Sequence, residues 1–300
     1  VALFPREIDY TEWQTLRRYP ILNWNMGMTY RLRERDERVY PQGELARRTI
    51  GQVGDKGNYG VEYVLRDVLE GRDGKARRQR IARGFYGRVV GGDNSEPEDG
   101  LDVVTTLDLE MQDVADRALR RQLEAQNALW GTALVMEVAT GDLLAMANLS
   151  RTKSGAYAEV KNHALSSRME PGSTFKLAAL LALVDDAGMS LDETFDTGNG
   201  ARVKVGRTTV QDSHGLPLNL KDAVAHSSNV FFARAVYETY KDDPERYVDY
   251  LRHLHLDRTV GLEEFGAVAP IFPAPGMKIW YPDVSIVNMG YGYAIELTPL

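Results

Sequence analysis

Pro171-Gly172-Ser173-Thr174-Phe175-Lys176-Leu177-Ala178-Ala179-Leu180-Leu181-Ala182-Leu183-Val184 is the stretch on which the fold reading turns. A Pro-Gly turn opens it and an apolar run follows, so the segment predicts a helix that starts near Ser173 and is buried in a core rather than laid on a surface. Residues at i and i+3 share a helix face, which puts the Ser173 hydroxyl within hydrogen-bond reach of the Lys176 amine. Desolvation at the mouth of such a helix disfavours the ammonium and makes Lys176 a candidate general base for the Ser173 proton. Unpaired N–H groups at the helix start suit negative charge developing beside the serine.

Ser-x-x-Lys alone is a common spacing, and the chain carries a second copy as a control. Ser150-Arg151-Thr152-Lys153 sits between Asn148 and Gly155, in a polar, turn-rich stretch with no apolar helix behind it, and reads as a loop. A further element is Ala225-His226-Ser227-Ser228-Asn229-Val230-Phe231-Phe232. A Ser-x-Asn turn between apolar residues can aim a hydroxyl and a carboxamide into one cleft, Ser227 passing a proton and Asn229 holding Lys176 and a substrate amide. The competing reading makes Ser227 or Ser228 a cap of a helix over Val230 to Tyr240.

Together, Ser173-x-x-Lys176 and Ser227-x-Asn229 resemble the first two of the three motifs of penicillin-binding proteins and serine β-lactamases. The resemblance extends to the hairpin-like Gly131 to Ala147, to Met169-Glu170-Pro171-Gly172 before the serine, and to Met289-Gly290-Tyr291-Gly292 through Leu297-Thr298-Pro299-Leu300. In the first hundred residues, Gly43 to Gly51, Gly60-Val61-Glu62-Tyr63 and Leu69 to Gly74 are similar to the N-terminal pedestal of class B penicillin-binding proteins, the division-type, FtsI-like branch fitting best. The third motif, Lys-(Thr or Ser)-Gly, does not follow: the only lysine after Lys241 is Lys278, before Ile279 and Trp280. The resemblance therefore implies a chain truncated before the strand whose N–H completes the oxyanion hole.

The resemblance implies an α+β fold, an antiparallel sheet flanked by helices and incomplete at the C-terminus, with a strand-rich pedestal at residues 1–100 and a transpeptidase domain at 101–300. It implies a peptidoglycan DD-transpeptidase. By the same resemblance, Ser173 would attack the carbonyl between two terminal D-alanines of a stem peptide, Lys176 would take the proton, Ser227 would return one to the departing D-alanine, and Asn229 would bind substrate. β-Lactams would acylate the same serine, and no metal or organic cofactor is implied. A membrane glycosyltransferase and divisome proteins are the expected partners. An extracytoplasmic location is expected, with an N-terminal inner-membrane anchor lying outside this sequence. A β-lactamase, an elongation-type class B enzyme and a non-catalytic β-lactam sensor or scaffold are the alternatives.

Composition agrees. With 300 residues, 43% hydrophobic and 26% charged, the chain can hold two domains and a sizeable core. A net charge of -7 speaks against a nucleic-acid partner. Zero cysteines exclude disulfides and cysteine-ligated zinc, and the five histidines show no metal spacing. Arginine runs, Arg31 to Arg38 and Arg77 to Arg83, read as solvated surface. Gly91 to Glu98 reads as a loop before a boundary near Asp99-Gly100. Beyond it a strand is predicted over Asp102 to Thr106 and an amphipathic helix over Leu109 to Gln126, with Val114, Leu119 and Leu123 on its apolar face.

Overall fold

A computed structural model describes residues 6, 8–22, 39–54, 57–75, 78–82, 85–88, 95–198, 202–212 and 217–300. The chain divides into two compact units, residues 1–42 and 43–300. The first holds α1 (Tyr10–Leu16), closed at its start by a reciprocal capping box in which Asp9 and Glu12 each accept the other's backbone N–H. The arginine run from Arg31 to Arg38 lies outside the described residues.

The second unit begins with three short helices, α2 (Arg47–Ile50), α3 (Gly60–Val64) and α4 (Arg66–Leu69), and a hairpin of β1 (Arg78–Ala82) with β2 (Phe85–Arg88). Asp102 to Thr106, predicted as a strand, is not one. The Thr106 hydroxyl donates to the Leu143 carbonyl and Asp108 N–H to that of Leu144, and no ladder forms.

Then α5 (Leu109–Gln126) matches its predicted bounds, with Asp108 accepting from Met111 N–H at its start and Asn127 in a left-handed conformation at its end. It packs on the three-stranded antiparallel sheet of β3 (Trp130–Met136), β4 (Leu143–Arg151) and β5 (Tyr157–Ala158). Ala115 meets Ala145 and Ala147, and Leu123 meets Leu149 and Tyr157. Glycine at 131 permits this closeness, because a Cβ there would stand 2.9 Å from the Leu123 side chain. Val114, expected on the apolar face, is exposed; buried Gln112 takes a core position instead. Its amide oxygen accepts from Met146 N–H (2.7 Å) and its amide nitrogen donates to the Met146 carbonyl (3.2 Å), satisfying both polar ends.

After α6 (His163–Ser166) a continuous helical run passes from a 3-10 turn (Gly172–Phe175) through α7 (Lys176–Leu181) to a π turn (Ala182–Asp186). Only one side of it is buried. Phe175, Lys176, Ala179, Ala182 and Leu183 face the core, whereas Leu177, Leu181 and Val184 are exposed. The expectation of a helix buried in a core rather than laid on a surface is met on one side only. The helix that meets it is α9 (Asn229–Tyr240), whose Val230, Phe231, Phe232, Ala233, Ala235 and Val236 are each fully buried. Around α9 lie the two-stranded pairs β6 (Thr194–Phe195) with β9 (Leu218–Asn219) and β7 (Arg202–Val205) with β8 (Thr208–Gln211). The helices α8 (Leu220–Ala225), α10 (Pro244–His253) and α11 (Ser285–Met289) complete its surroundings. Helices on small antiparallel sheets make the α+β architecture that the sequence predicts.

Glu159 joins β4 to α2. Its two carboxylate oxygens accept from Arg48 N–H (2.7 Å) and Asn148 N–H (3.2 Å), and burial pushes its pKa up to about 7. The folded state thus holds the proton more tightly than the unfolded chain. The associated stabilisation is complete below the ordinary carboxylate range and is lost as pH rises through about 7. Stability should therefore fall by about 1 to 3 kcal/mol between pH 5 and 8 on this group's account. Chemical denaturation across that range should show a flatter profile for Glu159→Gln; an unchanged slope would mean that Glu159 titrates as it does in the unfolded chain.

Candidate active site

The 3-10 turn that carries Ser173 is fixed from outside the helix. Gly172 has φ +57° and its N–H donates to the Gly292 carbonyl (2.9 Å). The segment after α11 runs antiparallel to the residues before the serine: Met169 and Leu297 exchange both backbone hydrogen bonds, and Ala294 N–H donates to the Glu170 carboxylate (3.0 Å). Gly292, at φ +91°, lies so close that a Cβ there would be 1.8 Å from the Gly172 carbonyl oxygen. Ser173 is exposed at this junction, and the first N–H groups of a helix lack intrahelical partners.

Lys176, one turn on, is 5% exposed and collects the site. Its Nζ lies within hydrogen-bond distance of Ser173 Oγ (3.1 Å), Ser227 Oγ (3.1 Å), the Ser227 carbonyl (2.6 Å) and Asn229 Oδ1 (2.6 Å). All four residues singled out in the sequence are thereby brought together. Burial lowers the Lys176 pKa to about 8 against the opposing pull of Asp212, leaving roughly a tenth of it unprotonated at pH 7. The free amine has two N–H bonds and a lone pair. The Ser227 carbonyl and Asn229 Oδ1 only accept and so take both N–H bonds; the lone pair is left for a hydroxyl, that of Ser173 or of Ser227.

The turn presenting these groups divides its labour. Ser228, buried, is the N-cap of α9 and accepts from Phe231 N–H (2.9 Å). Ser227 sits one residue earlier at φ +50°, an uncommon conformation for a residue with a Cβ, and aims both its carbonyl and its hydroxyl at Lys176. Capping thus falls to Ser228, while the adjacent Ser227 and Asn229 contact Lys176.

Asp212, just past β8, was not singled out from the sequence. It is buried; Oδ1 accepts from Asn229 N–H (2.6 Å) and Val230 N–H (3.1 Å), and Oδ2 accepts from the Ser228 hydroxyl. Only the β7–β8 hairpin brings it to α9, so no local spacing marks it.

The control serine differs from expectation in its surroundings. Ser150 lies in β4, not in a loop, and its Oγ is 2.7 Å from His163 Nε2. His163 stacks on Trp130 with centroids 4.2 Å apart and is hydrogen-bonded through Nδ1 to Ser167 Oγ (2.8 Å). Burial lowers its pKa to about 4, so it is a weak base. Lys153 is exposed on the turn beyond the strand. There Lys153-Ser154-Gly155 spells a Lys-Ser-Gly triplet; it lies before Ser173 in the chain, at the tip between β4 and β5, where Gly155 N–H donates to the Thr152 carbonyl (2.9 Å).

Residues 131–300, more than half of the chain, match the penicillin binding protein transpeptidase domain. The probable peptidoglycan D,D-transpeptidase PenA of Neisseria meningitidis is 27% identical over 276 residues, 88% of this chain and 45% of the relative. Penicillin-binding protein PbpB of Mycobacterium tuberculosis is 31% identical over 283 residues, 88% of this chain and 40% of the relative. The probable peptidoglycan D,D-transpeptidase FtsI of Caulobacter vibrioides is 26% identical over 283 residues, 91% and 42% respectively. The chain thus spans less than half the length of these curated relatives. Among solved structures, penicillin-binding protein 3 from Mycobacterium tuberculosis complexed with aztreonam superposes with a TM-score of 0.72 at 27% identity, covering 88% of this chain and 56% of that one. The motif order Ser173-x-x-Lys176 then Ser227-x-Asn229, the lysine that joins them and the match over most of the second unit lead to one conclusion: the chain belongs to the penicillin-binding protein transpeptidase family, in its class B, FtsI-like branch.

Proposed function

We propose that the chain is the acyl-transferring part of a peptidoglycan DD-transpeptidase, with Ser173 as nucleophile, Lys176 as its base, Ser227 as proton carrier and Asn229 as substrate ligand. The observation that carries this reading is the single buried amine within hydrogen-bond distance of both serine hydroxyls. Ser173 Oγ attacks the carbonyl between the two terminal D-alanines while its proton passes to the Lys176 lone pair. The oxyanion faces the start of the 172–186 helix. Collapse of the tetrahedral species breaks the C–N bond, and the proton reaches the departing D-alanine amine from Lys176 through Ser227. An amine of a second stem peptide then attacks the ester, re-forms an amide and restores the serine. A β-lactam follows the first half of this path and remains as an ester; the neighbour from Mycobacterium tuberculosis is described in complexes with aztreonam and ampicillin.

Residues 1–100 are proposed as a pedestal and 101–300 as the transpeptidase part. The likeness to the FtsI relative supports a septal role; a membrane glycosyltransferase and division proteins as partners, and an extracytoplasmic location, belong to the same proposal. Among the described residues no helix is long and apolar enough to cross a membrane; the proposed anchor belongs outside them. The direct test is incubation of the full-length protein with a D-Ala-D-Ala-terminated pentapeptide and an amine acceptor. Equimolar release of D-alanine and formation of the cross-linked amide support the reading, and release with hydrolysis alone would make the chain a carboxypeptidase or β-lactamase relative.

Asn229 separates catalysis from folding. Its Oδ1 holds Lys176, whereas the N-cap is Ser228. Asn229→Ala should therefore slow acylation by about 2 kcal/mol, roughly 30-fold, the scale of a hydrogen bond to a charged group. Rate and melting temperature measured together decide the matter: lost stability with an unchanged rate would make Asn229 a structural residue.

A further inference from the structure

We propose that Asp212 is a positioning residue of this site: it locks the Ser227-Ser228-Asn229 turn in the geometry that serves Lys176. The inference rests on the acyl-transfer reading given above.

Ser228 already caps α9 in the ordinary way by accepting the Phe231 N–H. Asp212 adds a second cap from a different element. One oxygen takes the two remaining leading N–H groups, of Asn229 and Val230, and the other takes the proton of the capping hydroxyl itself. From the other side the turn is tied to the end of α8, by Ser227 N–H to the Val224 carbonyl (3.1 Å) and Ser228 N–H to that of Ala223 (3.0 Å). Ser227 is thus held at φ +50° between two anchors, and three of the four oxygens within hydrogen-bond distance of Lys176 Nζ belong to this turn. A conformation that costs free energy persists where its surroundings over-determine it.

Burying a carboxylate 7% exposed is costly unless charge or donors compensate. Three hydrogen bonds and the positive end of α9 do so here. A hydrophobic or neutral neighbour plus the Ser228 cap would stabilise the helix at less cost; what the acid supplies in addition is a negative charge near Lys176. The groups that face Lys176 from its own helix, the turn and α9 are Ser173, Ser227, Asn229 and Phe232, all uncharged, with the Phe232 ring centroid 6.0 Å from Nζ. Among the described residues, Asp212 is the charge whose attraction opposes the loss of the ammonium by burial. No hydrogen bond joins the two, so Asp212 acts through the turn and through its field.

The test compares Asp212→Asn and Asp212→Glu with wild type in the full-length protein. Acylation by a fluorescent penicillin is followed from pH 5 to 10, and Lys176 titration independently, from the pH dependence of its modification by an amine reagent read by mass spectrometry. Asp212→Asn should lose at least tenfold in acylation rate at pH 7 and shift the acidic limb, and the Lys176 titration, to lower pH by half a unit or more. Asp212→Glu keeps the charge and displaces the turn, so its rate should fall with the limb near its wild-type position. Unchanged rate and unchanged titration in both variants, with only a lower melting temperature, would overturn the proposal and leave Asp212 a helix cap. The titration readout does not require acylation. Failure of wild type to acylate would count against the transpeptidase reading, while a Lys176 titration that moves in Asp212→Asn would still support the role of Asp212.

Discussion

Lys176→Arg is expected to reduce acylation by at least 1000-fold while leaving the fold in place. General-base assistance contributes about 100- to 10,000-fold, and arginine cannot supply it because its guanidinium keeps its proton at any working pH. Wild-type lysine, lowered to about 8 by burial, exposes a lone pair in a usable fraction of molecules, and its two acceptor-only neighbours direct that lone pair to a hydroxyl. A planar fork is also the wrong shape for the four contacts that one Nζ makes. In wild type the rate should climb with pH through the Lys176 titration near pH 8. Single-turnover acylation by a fluorescent penicillin, with circular dichroism as the folding check, gives both quantities. A rate within a few-fold of wild type would reduce Lys176 to an electrostatic neighbour of the serine.

Gly292→Ala is the second large effect, and it acts on the serine from across the chain. The added methyl would meet the Gly172 carbonyl oxygen at 1.8 Å and its carbon at 2.6 Å, both backbone atoms that cannot swing aside. At φ +91° the alanine is strained besides. Relief requires separating the 289–297 segment from Gly172, which breaks the bond from Gly172 N–H and shifts the turn carrying Ser173. A destabilisation of about 3 kcal/mol or more is expected, together with a loss of acylation of 100-fold or more, since misplacing reacting groups by an ångström has that scale. Gly141→Ala is the comparison: φ is +80° there too, but nothing lies within 4 Å of the added carbon, so about 1 kcal/mol should be lost and the rate kept. Equal melting temperatures and rates for the two variants would show that the contact at Gly292 does not hold the serine in place.

What the sequence discloses follows from how far each signal reaches along the chain. Ser173 and Lys176 were legible because one helical turn sets their distance, and Leu109–Gln126 because its cap and its period are local. Ser227 and Asn229 were legible as a short motif, although their meeting with Lys176 depends on packing. The one-sided burial of the helix after Ser173 is not legible in the sequence, because an apolar run does not say which of two apolar helices takes the centre. Phe231, Phe232 and Val236 of α9 occupy it, and Leu177, Leu181 and Val184 are left outside. The Asp102 to Thr106 segment has strand-like residues but no partner ladder, and β propensity without a partner makes no sheet. Asp212 and the contact of Gly172 with Gly292 were invisible for a common reason: each joins residues far apart in sequence, one through a hairpin and the other through a glycine whose need for φ above zero appears only in the fold.

The most direct measurement is the site of covalent attachment. The full-length protein is incubated with a penicillin, digested and mapped by tandem mass spectrometry, with Ser150 as the internal comparison because it too carries a lysine three residues on and has a histidine at hydrogen-bond distance. One penicilloyl group per molecule, located on Ser173 and absent from Ser173→Ala, is the expected result. An adduct on Ser150, or a protein that binds no penicillin at Ser173 while folded, would contradict the assignment of Ser173 as the nucleophile.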